Sequence, residues 1–419
     1  MKKDKDLILF SNSPGEVSTW VAPVVERLVR YKKITGEHRI FLVIHPCQFA
    51  SGNEPFVAES FPGIEHIVTP KEYMRYLIAG SWKRKYGLKE RGIILSLGGS
   101  LKHPVLFKNR SHAPYPLFAY TNNPDLPGKE NSYEKIFVRN DWVKDKYIKR
   151  GVSSSKLVIV GDLVKSTIKH ENRRGAVRRE LGVSGDQILM VFMPGSRDFE
   201  VHYMLPAFLW VIDQLTDRIH TIKPFILKSP YVSYEWIETA LQKGGKIKEG
   251  TTLGGTHHQE DGFHSIHFSK EKIVRILEGG LEVWGEGIDF AVTLPGSNTI
   301  QLAYRNIPLL TVMPLNKPDI IPFVGLLAVL KWIPLIGKPL IRKAALKYTG
   351  KFEFCSLPNI YQNEKIVPEL FGVIETDDIT DLLVDIIENG EIEKIKQRLS
   401  VFSVEEDPAE KIIRSIWSE

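Results

Sequence analysis

Two Pro-Gly-Ser turns carry the residue types best suited to bind an anion. The first is PGSR at 194–197, which follows the apolar run 188–193 and precedes a helical pattern that begins near Val201. The second is PGSNT at 295–299, which lies between an apolar run and a helical pattern at 300–305. Glycine lets a ligand approach the backbone, and the amides and positive dipole end of a following helix favour a diphosphate.

The pair of turns is stronger evidence than either turn alone. A single Pro-Gly-Ser turn more often only reverses the chain. Two of them at the ends of parallel strands would face one crevice of a doubly wound sheet, and Arg197 can contact phosphate oxygens in bidentate fashion. The sequence contains no G-x-x-x-x-G-K-[ST], and no G-x-G-x-x-G follows its first apolar run. These absences argue against an ATPase and against a dinucleotide-binding enzyme.

The elements that must position these turns follow an alternating pattern. Short apolar runs separated by helical patterns predict an α/β fold with two parallel sheets covered by helices. The runs lie at 7–11, 41–45, 93–97, 117–121, 135–138, 157–161, 188–193, 225–228, 288–294 and 308–313. We predict an N-terminal domain over 1–168, a C-terminal domain over 169–392, and C-terminal helices over 393–419 that pack back on the N-terminal domain. The glycine-rich segment 250–262 is predicted as a flexible surface loop.

Length and composition indicate a water-soluble, two-domain protein. The chain has 419 residues, more than one hydrophobic core usually organises. Apolar residues make up 43% and charged residues 25%, as in ordinary globular proteins. The most apolar run, 320–330, is shorter than the ~20 residues that span a bilayer. The net charge of +6 suggests an anionic partner without choosing among nucleotide, membrane and nucleic acid.

The cysteines and histidines predict neither a disulfide framework nor a metal site. Cys47 and Cys355 are the only cysteines and lack partners at metal-ligand spacing, which fits a reducing cytoplasm. A histidine cluster matches no zinc pattern; its members are His257, His258, His264 and His267.

Four segments together resemble the lipid-A-disaccharide synthase family of GT-B glycosyltransferases. SPGEVSTW at 13–20 is similar to the family's AGE-x-SGD turn, and MPGSR at 193–197 to its LPGSR. LPGSNTIQLAYRNIPLLTV at 294–312 is similar to its SGTATLE-x-A-x-x-G-x-P-x-V-V. The most specific is SLPNIYQNEKIVPELFG at 356–372, similar to SLPN-[LI]-x-x-x-x-x-VPEL. The resemblance implies two Rossmann-like domains whose parallel sheets face a cleft.

The activity that this resemblance implies is an inverting transfer of an acylated glucosamine from UDP to a lipid-linked acceptor. It implies no metal and no cofactor other than the UDP-sugar donor. Gln301 stands where the family has a ribose-binding glutamate, and an amide can make the same bonds. By matched position, the donor-binding residues would be Gly15, Gly195, Ser196, Arg197, Gly296, Ser297, Asn298, Thr299, Gln301 and Asn359.

The family's proposed general base has no counterpart in this chain. Where the family has an aspartate in a GIDAPDFN-like segment, this sequence reads LGGSLKHPVLF at 97–107. An attacking hydroxyl needs a proton acceptor within reach, and His103 is the nearest candidate, although a histidine there can also be a surface or capping residue. Asp125 is a second candidate within a string that is chiefly a turn signal, and Glu16 is the third catalytic candidate.

Two basic, apolar stretches suggest contact with the cytoplasmic face of the inner membrane. Residues 320–352 carry six basic side chains and no acidic one, and 73–91 is similar in character. Apolar surface with charge of one sign is what an interfacial helix on anionic lipid needs, although a buried helical hairpin with a basic edge is the alternative. Nucleic-acid binding is not predicted, since the basic residues are mixed with aliphatic ones rather than with stacking aromatics.

The sequence is compatible with two further functions. The acceptor could be a different lipid, such as diacylglycerol or a polyprenyl phosphate. Alternatively, the chain could bind UDP-sugars after losing catalysis together with the family's base.

Overall fold

The chain divides into two compact units, Met1–Thr167 with Val404–Glu419, and Ile168–Ser403. A computed structural model describes residues 5–31, 38–79, 82–122, 129–169, 171–247, 250–260, 262–269, 271–316, 353–403 and 405–417. The predicted α/β architecture with two sheet-based units is confirmed, but the second sheet is mixed rather than wholly parallel as predicted. The second division of the chain falls between 403 and 404 rather than at 392.

A wholly parallel seven-stranded sheet forms the first unit. Its order is β3-β2-β1-β4-β5-β6-β7, with β1 and β4 near its centre. On β1, Ile8 and Phe10 belong to the core on one face of the sheet, whereas Leu7 and Leu9 belong to the core on the other. Burial on both faces explains why these strands are continuous apolar runs. The strands are β1 (Lys5–Ser11), β2 (His38–Ile44), β3 (Ile64–Val68), β4 (Arg91–Leu97), β5 (Leu117–Tyr120), β6 (Lys135–Val138) and β7 (Leu157–Ile159).

Helices cover both faces of this sheet. The first begins as α1, passes through a π-helical turn at Val17–Val21, and continues as α2. In α7, the Asn140 side chain caps the helix by accepting from the Val143 amide at 3.1 Å. The helices are α1 (Pro14–Glu16), α2 (Ala22–Arg30), α3 (Glu54–Ala58), α4 (Pro70–Ala79), α5 (Trp82–Tyr86), α6 (Lys102–Ser111) and α7 (Asp141–Lys149).

An eight-stranded mixed sheet forms the second unit. Its order is β12-β13-β14-β9-β8-β15-β16-β17, parallel from β14 to β17 and antiparallel across β12, β13 and β14. A separate pair, β10 and β11, is antiparallel. The strands are β8 (Ile188–Met193), β9 (Ile222–Leu227), β10 (Gly245–Ile247), β11 (Gly250–Thr252), β12 (Thr256–Glu260), β13 (Phe263–Phe268), β14 (Lys272–Leu277), β15 (Phe290–Thr293), β16 (Leu309–Pro314) and β17 (Glu369–Gly372).

The longest helix of the second unit, α9, follows β8 directly. It buries one face that includes Val201, Leu205 and Phe208, as its apolar spacing predicts. None of the described helices is both long and apolar enough to cross a bilayer. The helices are α8 (Arg174–Leu181), α9 (Asp198–Arg218), α10 (Tyr234–Leu241), α11 (Gly280–Trp284), α12 (Ser297–Tyr304), α13 (Leu357–Gln362), α14 (Thr376–Glu388) and α15 (Glu391–Leu399).

The last helix, α16 (Pro408–Trp417), belongs to the first unit. It buries Ala409, Ile412 and Ile413 in the core on the α2 face of the first sheet. Arg27 on α2 donates from Nε to the Asp407 carboxylate at 2.6 Å, which fixes the start of the helix. By contrast, α15 stays in the second unit, where Arg398 donates to the Ile366 carbonyl at 2.9 Å. The returning segment is therefore shorter than the predicted 393–419.

The segment predicted as a flexible loop at 250–262 contains ordered strands. Its second half forms β12, which pairs with β13 in an antiparallel hairpin. His257 and His264 stack on the Tyr234 ring, with centroids 4.7 and 4.0 Å away. The prediction failed because this hairpin is held by aromatic and imidazole contacts instead of an alternating apolar pattern. No group of three or more His, Cys, Asp or Glu side chains in the described ranges is arranged to hold a metal ion.

Candidate functional site

Each sheet changes its winding direction at one pair of neighbouring strands, β1 with β4 and β8 with β15. In open α/β sheets, ligands bind beyond the carboxyl ends of the strands at such points. The two loops that follow β1 and β4 form what we call the first-unit site. The two Pro-Gly-Ser turns follow β8 and β15 and form the second-unit site.

Glu16 joins the two loops of the first-unit site. Its carboxylate accepts from the Gly99 amide at 3.2 Å and from the Ser13 hydroxyl at 2.7 Å. Gly98 has φ of +97°, and a Cβ there would lie 2.6 Å from the Glu16 carboxyl group. Burial raises the pKa of Glu16, opposed by the hydrogen bonds from Ser13 and Gly99. The neighbouring Gly15 carbonyl accepts from the Thr19 hydroxyl at 2.7 Å.

His103 lies in the first turn of α6 and is half-buried. Its ring stacks on the ring of His45, with centroids 4.3 Å apart and planes 19° from parallel. The Tyr73 hydroxyl lies 3.1 Å from both Nδ1 and the backbone carbonyl of His103. Burial lowers the pKa of His103, so the imidazole is neutral near pH 7 and can accept a proton.

Sequence reasoning missed two polar side chains, one within the first-unit site and one beside it. His45 follows β2 at the same edge of the sheet, and burial, together with nearby His103, lowers its pKa to about 3. Its Nδ1 lies 3.3 Å from the Pro46 carbonyl, while its buried Nε2 has no hydrogen-bond partner among the described residues. Asn12 Oδ1 is likewise buried and unpartnered within the described chain. The signal for both was a polar residue immediately after a buried strand.

Some predicted features lie outside the described residues. Asp125 falls within 123–128, and the basic stretch 320–352 falls within 317–352. The other basic stretch, 73–91, is described in large part. Its aromatic residues Tyr73, Tyr76 and Trp82 are buried in the core of the first unit.

The first turn of the second-unit site is closed by a carboxylate that the sequence analysis did not single out. Glu200, in the first turn of α9, accepts from the amides of Ser196 at 2.7 Å and Arg197 at 3.1 Å. Its other oxygen pairs with the Arg197 guanidinium at 2.6 Å. Gly195 has φ of +115°, and a Cβ there would lie 2.4 Å from the Glu200 side chain. The amides expected to be free for an anion are therefore bonded within the helix's own capping box.

The second turn differs from the first in the availability of its amides. Gly296 precedes α12, and no hydrogen bond from the Ser297 or Asn298 amides is present within the described part of the chain. These amides stand at the positive end of the helix dipole. The Asn298 side chain instead donates to the Thr293 hydroxyl. The turn after β15 therefore has amides available to an anion, whereas those of the turn after β8 are bonded to Glu200.

Two residues assigned to donor binding have structural contacts instead. Thr299 is fully buried, donates to the Gly296 carbonyl at 2.8 Å, and accepts from the Leu357 amide at 3.2 Å. Asn359 is also fully buried; its Oδ1 accepts from the amides of Ile366 and Val367 at 2.8 and 2.9 Å. Its Nδ2 donates to the Val367 carbonyl at 2.9 Å. These contacts leave the two side chains little capacity to bind a ligand.

Gln301, at the position of the family's ribose-binding glutamate, has a carboxylate beside it. Its Nε2 lies 3.4 Å from Glu282 Oε1. Glu282 is half-exposed on α11 and also pairs with Arg305 at 3.7 Å. A carboxylate and an amide therefore stand together where the family has one glutamate.

Comparison with known proteins supports the family resemblance over part of the chain. Residues 147–258 match the family model described as lipid-A-disaccharide synthetase. This stretch includes β8, the first Pro-Gly-Ser turn and α9. No curated protein matches this chain.

Solved structures share the fold over nearly the whole chain at low identity. A Listeria monocytogenes protein assigned as a UDP-N-acetylglucosamine 2-epimerase has a TM-score of 0.56 at 12% identity, covering 100% of this chain and 97% of its own. The Neisseria meningitidis UDP-GlcNAc 2-epimerase bound to UDP-GlcNAc gives 0.53 at 11%, covering 99% and 100%. S. aureus MnaA with UDP gives 0.53 at 12%, covering 99% and 96%. The predicted GT-B architecture is thereby confirmed.

Proposed function

We propose that this protein is an inverting glycosyltransferase that moves an N-acetylglucosamine-type sugar, which can be acylated, from UDP to a lipid-linked acceptor. The observation that carries the proposal is the family match over 147–258, which includes the first turn of the second-unit site. The whole-chain likeness to UDP-sugar enzymes supports the choice of donor.

The donor diphosphate would bind chiefly at the amino end of α12. The Ser297 and Asn298 amides supply donors, and the helix dipole adds a positive field. Arg197 stands in the turn after the neighbouring strand β8 and would add a guanidinium contact. Gln301 and Glu282 together would accept and donate bonds to the ribose hydroxyls. Dipole and guanidinium would offset the charge on the departing diphosphate, so the chemistry needs no metal.

The first unit would supply the acceptor side and the base. His103 is neutral, half-buried and located where the family's aspartate is missing. It would accept the proton of the attacking hydroxyl, because an imidazole that is unprotonated at pH 7 has a ring nitrogen lone pair able to take it up. Glu16 would orient the loops that flank it through its bond to Gly99.

A membrane-facing surface on the first unit would give access to a lipid acceptor. On α4 and α6, Met74, Ile78 and Leu106 have exposed fractions of 41, 78 and 49%. The basic residues Arg75 and Arg110 are exposed on the same two helices. Apolar side chains beside basic ones suit peripheral attachment to anionic lipid at the cytoplasmic face of the inner membrane.

Calorimetric titration of the full chain with UDP tests the donor assignment. We expect saturable binding, lost or weakened at least tenfold in Arg197→Gln. The matched control is Arg179→Gln, which removes the same charge at an exposed position of α8 and should bind like the wild type. No binding at millimolar UDP would contradict the proposal. Mass spectrometry of lipids formed from a panel of UDP-sugars would then identify the acceptor.

A second candidate function is epimerisation of a UDP-N-acetylhexosamine. It is favoured by the whole-chain likeness to proteins named UDP-GlcNAc 2-epimerases. Incubation with UDP-GlcNAc and no acceptor distinguishes the two, because an epimerase forms an isomeric UDP-sugar, whereas a transferase leaves the donor unchanged until lipid is added. UDP binding without either product would favour a non-catalytic UDP-sugar-binding protein.

A further inference from the structure

The phenol of Tyr73 makes two simultaneous contacts with one histidine. Its oxygen lies 3.1 Å from the His103 backbone carbonyl oxygen and 3.1 Å from His103 Nδ1. Tyr73 is fully buried, and its ring packs edge-on against Phe10 at 5.8 Å. The hydroxyl is therefore held in place relative to the start of α6.

These two contacts determine which nitrogen of His103 carries the proton. A phenol has one hydrogen to donate, and a carbonyl oxygen can only accept. If Tyr73 donates to the carbonyl, its oxygen can accept from Nδ1–H, and both contacts are hydrogen bonds. If Nδ1 were unprotonated, Tyr73 could donate to only one of the two acceptors. In the other contact, two acceptor atoms would lie 3.1 Å apart with no hydrogen between them. The Nδ1–H tautomer satisfies the whole arrangement.

We infer that Tyr73 is a positioning residue that holds His103 in the Nδ1–H tautomer, so that Nε2 is the nitrogen that accepts a proton. The inference rests on the proposed function for its consequence, although the tautomer itself does not depend on any substrate. In many catalytic sites a carboxylate accepts from the Nδ1–H of the histidine and fixes its tautomer. Here the hydroxyl of the buried Tyr73 would do the same.

In the proposed transfer, each proton and electron pair has a defined destination. The acceptor hydroxyl gives its proton to Nε2 of His103, and its oxygen forms the new bond to the anomeric carbon. The bond from that carbon to the diphosphate oxygen breaks, and UDP leaves with the electron pair. The imidazolium that results donates from Nδ1 to Tyr73, which stabilises the new charge, and it later returns its extra proton to solvent.

The surroundings keep both partners in the required protonation states. Burial raises the pKa of Tyr73, so the phenol keeps its hydrogen. His45 stacks on the face of the His103 ring, with centroids 4.3 Å apart, and its pKa of about 3 keeps it uncharged. His103 therefore packs against an uncharged imidazole ring. This contact fixes the plane of the His103 ring without repelling the positive charge that develops on it.

Nitrogen NMR of the histidine-labelled full chain tests the inference directly. The His103 signals are assigned by their loss in His103→Gln. We expect a protonated Nδ1 and an unprotonated Nε2 in the wild type. In Tyr73→Phe the ring remains but the hydroxyl is lost, and a population with protonated Nε2 should appear. Tyr76→Phe is the matched control: it makes the same deletion at a buried tyrosine of α4 and should leave the His103 tautomer unchanged.

Kinetics separate this inference from the proposed function. Tyr73→Phe should lower kcat about tenfold with KM for the UDP-sugar unchanged, a smaller loss than the ~10²–10⁴-fold expected when the base itself is removed. A wild-type His103 with protonated Nε2, or a Tyr73→Phe protein with an unchanged tautomer, overturns the inference even if transfer is observed. Failure to bind UDP instead overturns the proposed function and leaves the NMR result standing.

Discussion

Replacement of Asn359 by alanine tests whether this residue holds the protein together or binds the donor. The family resemblance assigns Asn359 to the donor site, whereas the structure gives it three buried hydrogen bonds to Ile366 and Val367. Alanine would leave the Val367 amide and carbonyl without partners, whereas the Ile366 amide would keep its second acceptor, the Glu364 carbonyl at 3.0 Å. Each unsatisfied buried group costs about 1–3 kcal/mol, so the two together should cost at least about 2 kcal/mol.

Thermal unfolding followed by circular dichroism measures this cost. For a unit of 150–250 residues, 1 kcal/mol shifts Tm by roughly 2–4 °C, so Asn359→Ala should unfold about 4–8 °C below the wild type. Gln362→Ala, at an exposed position of the same helix, should change stability by less than about 0.5 kcal/mol.

The competing interpretation makes the opposite forecast. If Asn359 contacts the donor, alanine should leave Tm close to that of the wild type and weaken UDP binding. A Tm within 2 °C of the wild type, which corresponds to ~1 kcal/mol or less, together with reduced UDP affinity would refute the assignment made from the buried contacts.

Three further predictions concern the two sites. Gly99→Ala places a Cβ 2.5 Å from the His45 ring at a φ of +68°, so it should lower the free energy of unfolding in urea by about 2–3 kcal/mol. Gly87→Ala has a positive φ but open space around the Cβ, so it should lower that free energy by only about 1 kcal/mol. Equal losses would contradict the contact between residue 99 and the His45 ring. Glu16→Gln removes a carboxyl whose pKa is raised in the folded state; that group stabilises the fold below its unfolded pKa and loses this contribution as pH rises. The variant should therefore be more stable than the wild type at pH 7–8, and this advantage should disappear below about pH 4. An advantage that does not depend on pH would show that the charge of the Glu16 carboxylate is not responsible. Glu200→Gln removes the carboxylate that competes with the ligand for the first turn, so UDP should bind about tenfold more tightly, a gain of ~1.4 kcal/mol. Its Tm should fall slightly because the helix cap is weakened. Unchanged or weaker UDP binding would show that Glu200 does not compete with the ligand.

The two Pro-Gly-Ser turns were predictable because each follows a buried strand and precedes a helix, a local pattern that the chain alone displays. Their unequal availability was not predicted, although its cause is equally local. Glu200 stands three residues after Arg197, the spacing of a capping box. The sequence therefore contained the signal that the first turn supplies its own anion.

The long-range contacts could not be read in the same way. Asn359 matches a family motif, yet its contacts depend on where the chain at 366–367 returns, which no periodicity encodes. His45 and His103 are 58 positions apart and meet only because β2 and the loop after β4 end at the same edge of one sheet. Their stacking follows from strand order, which the alternating apolar pattern leaves undetermined.

The return of α16 to the first unit bears on how the protein is made. The core beneath α2 receives Ala409, Ile412 and Ile413 only from the last described helix. During synthesis, the whole of Ile168–Ser403 must leave the ribosome before that helix can dock. The second unit, which is contiguous in sequence, can complete its fold while the first still exposes an apolar groove. A nascent chain arrested near 403 would therefore be a better chaperone client than the finished protein, through its amino-terminal half.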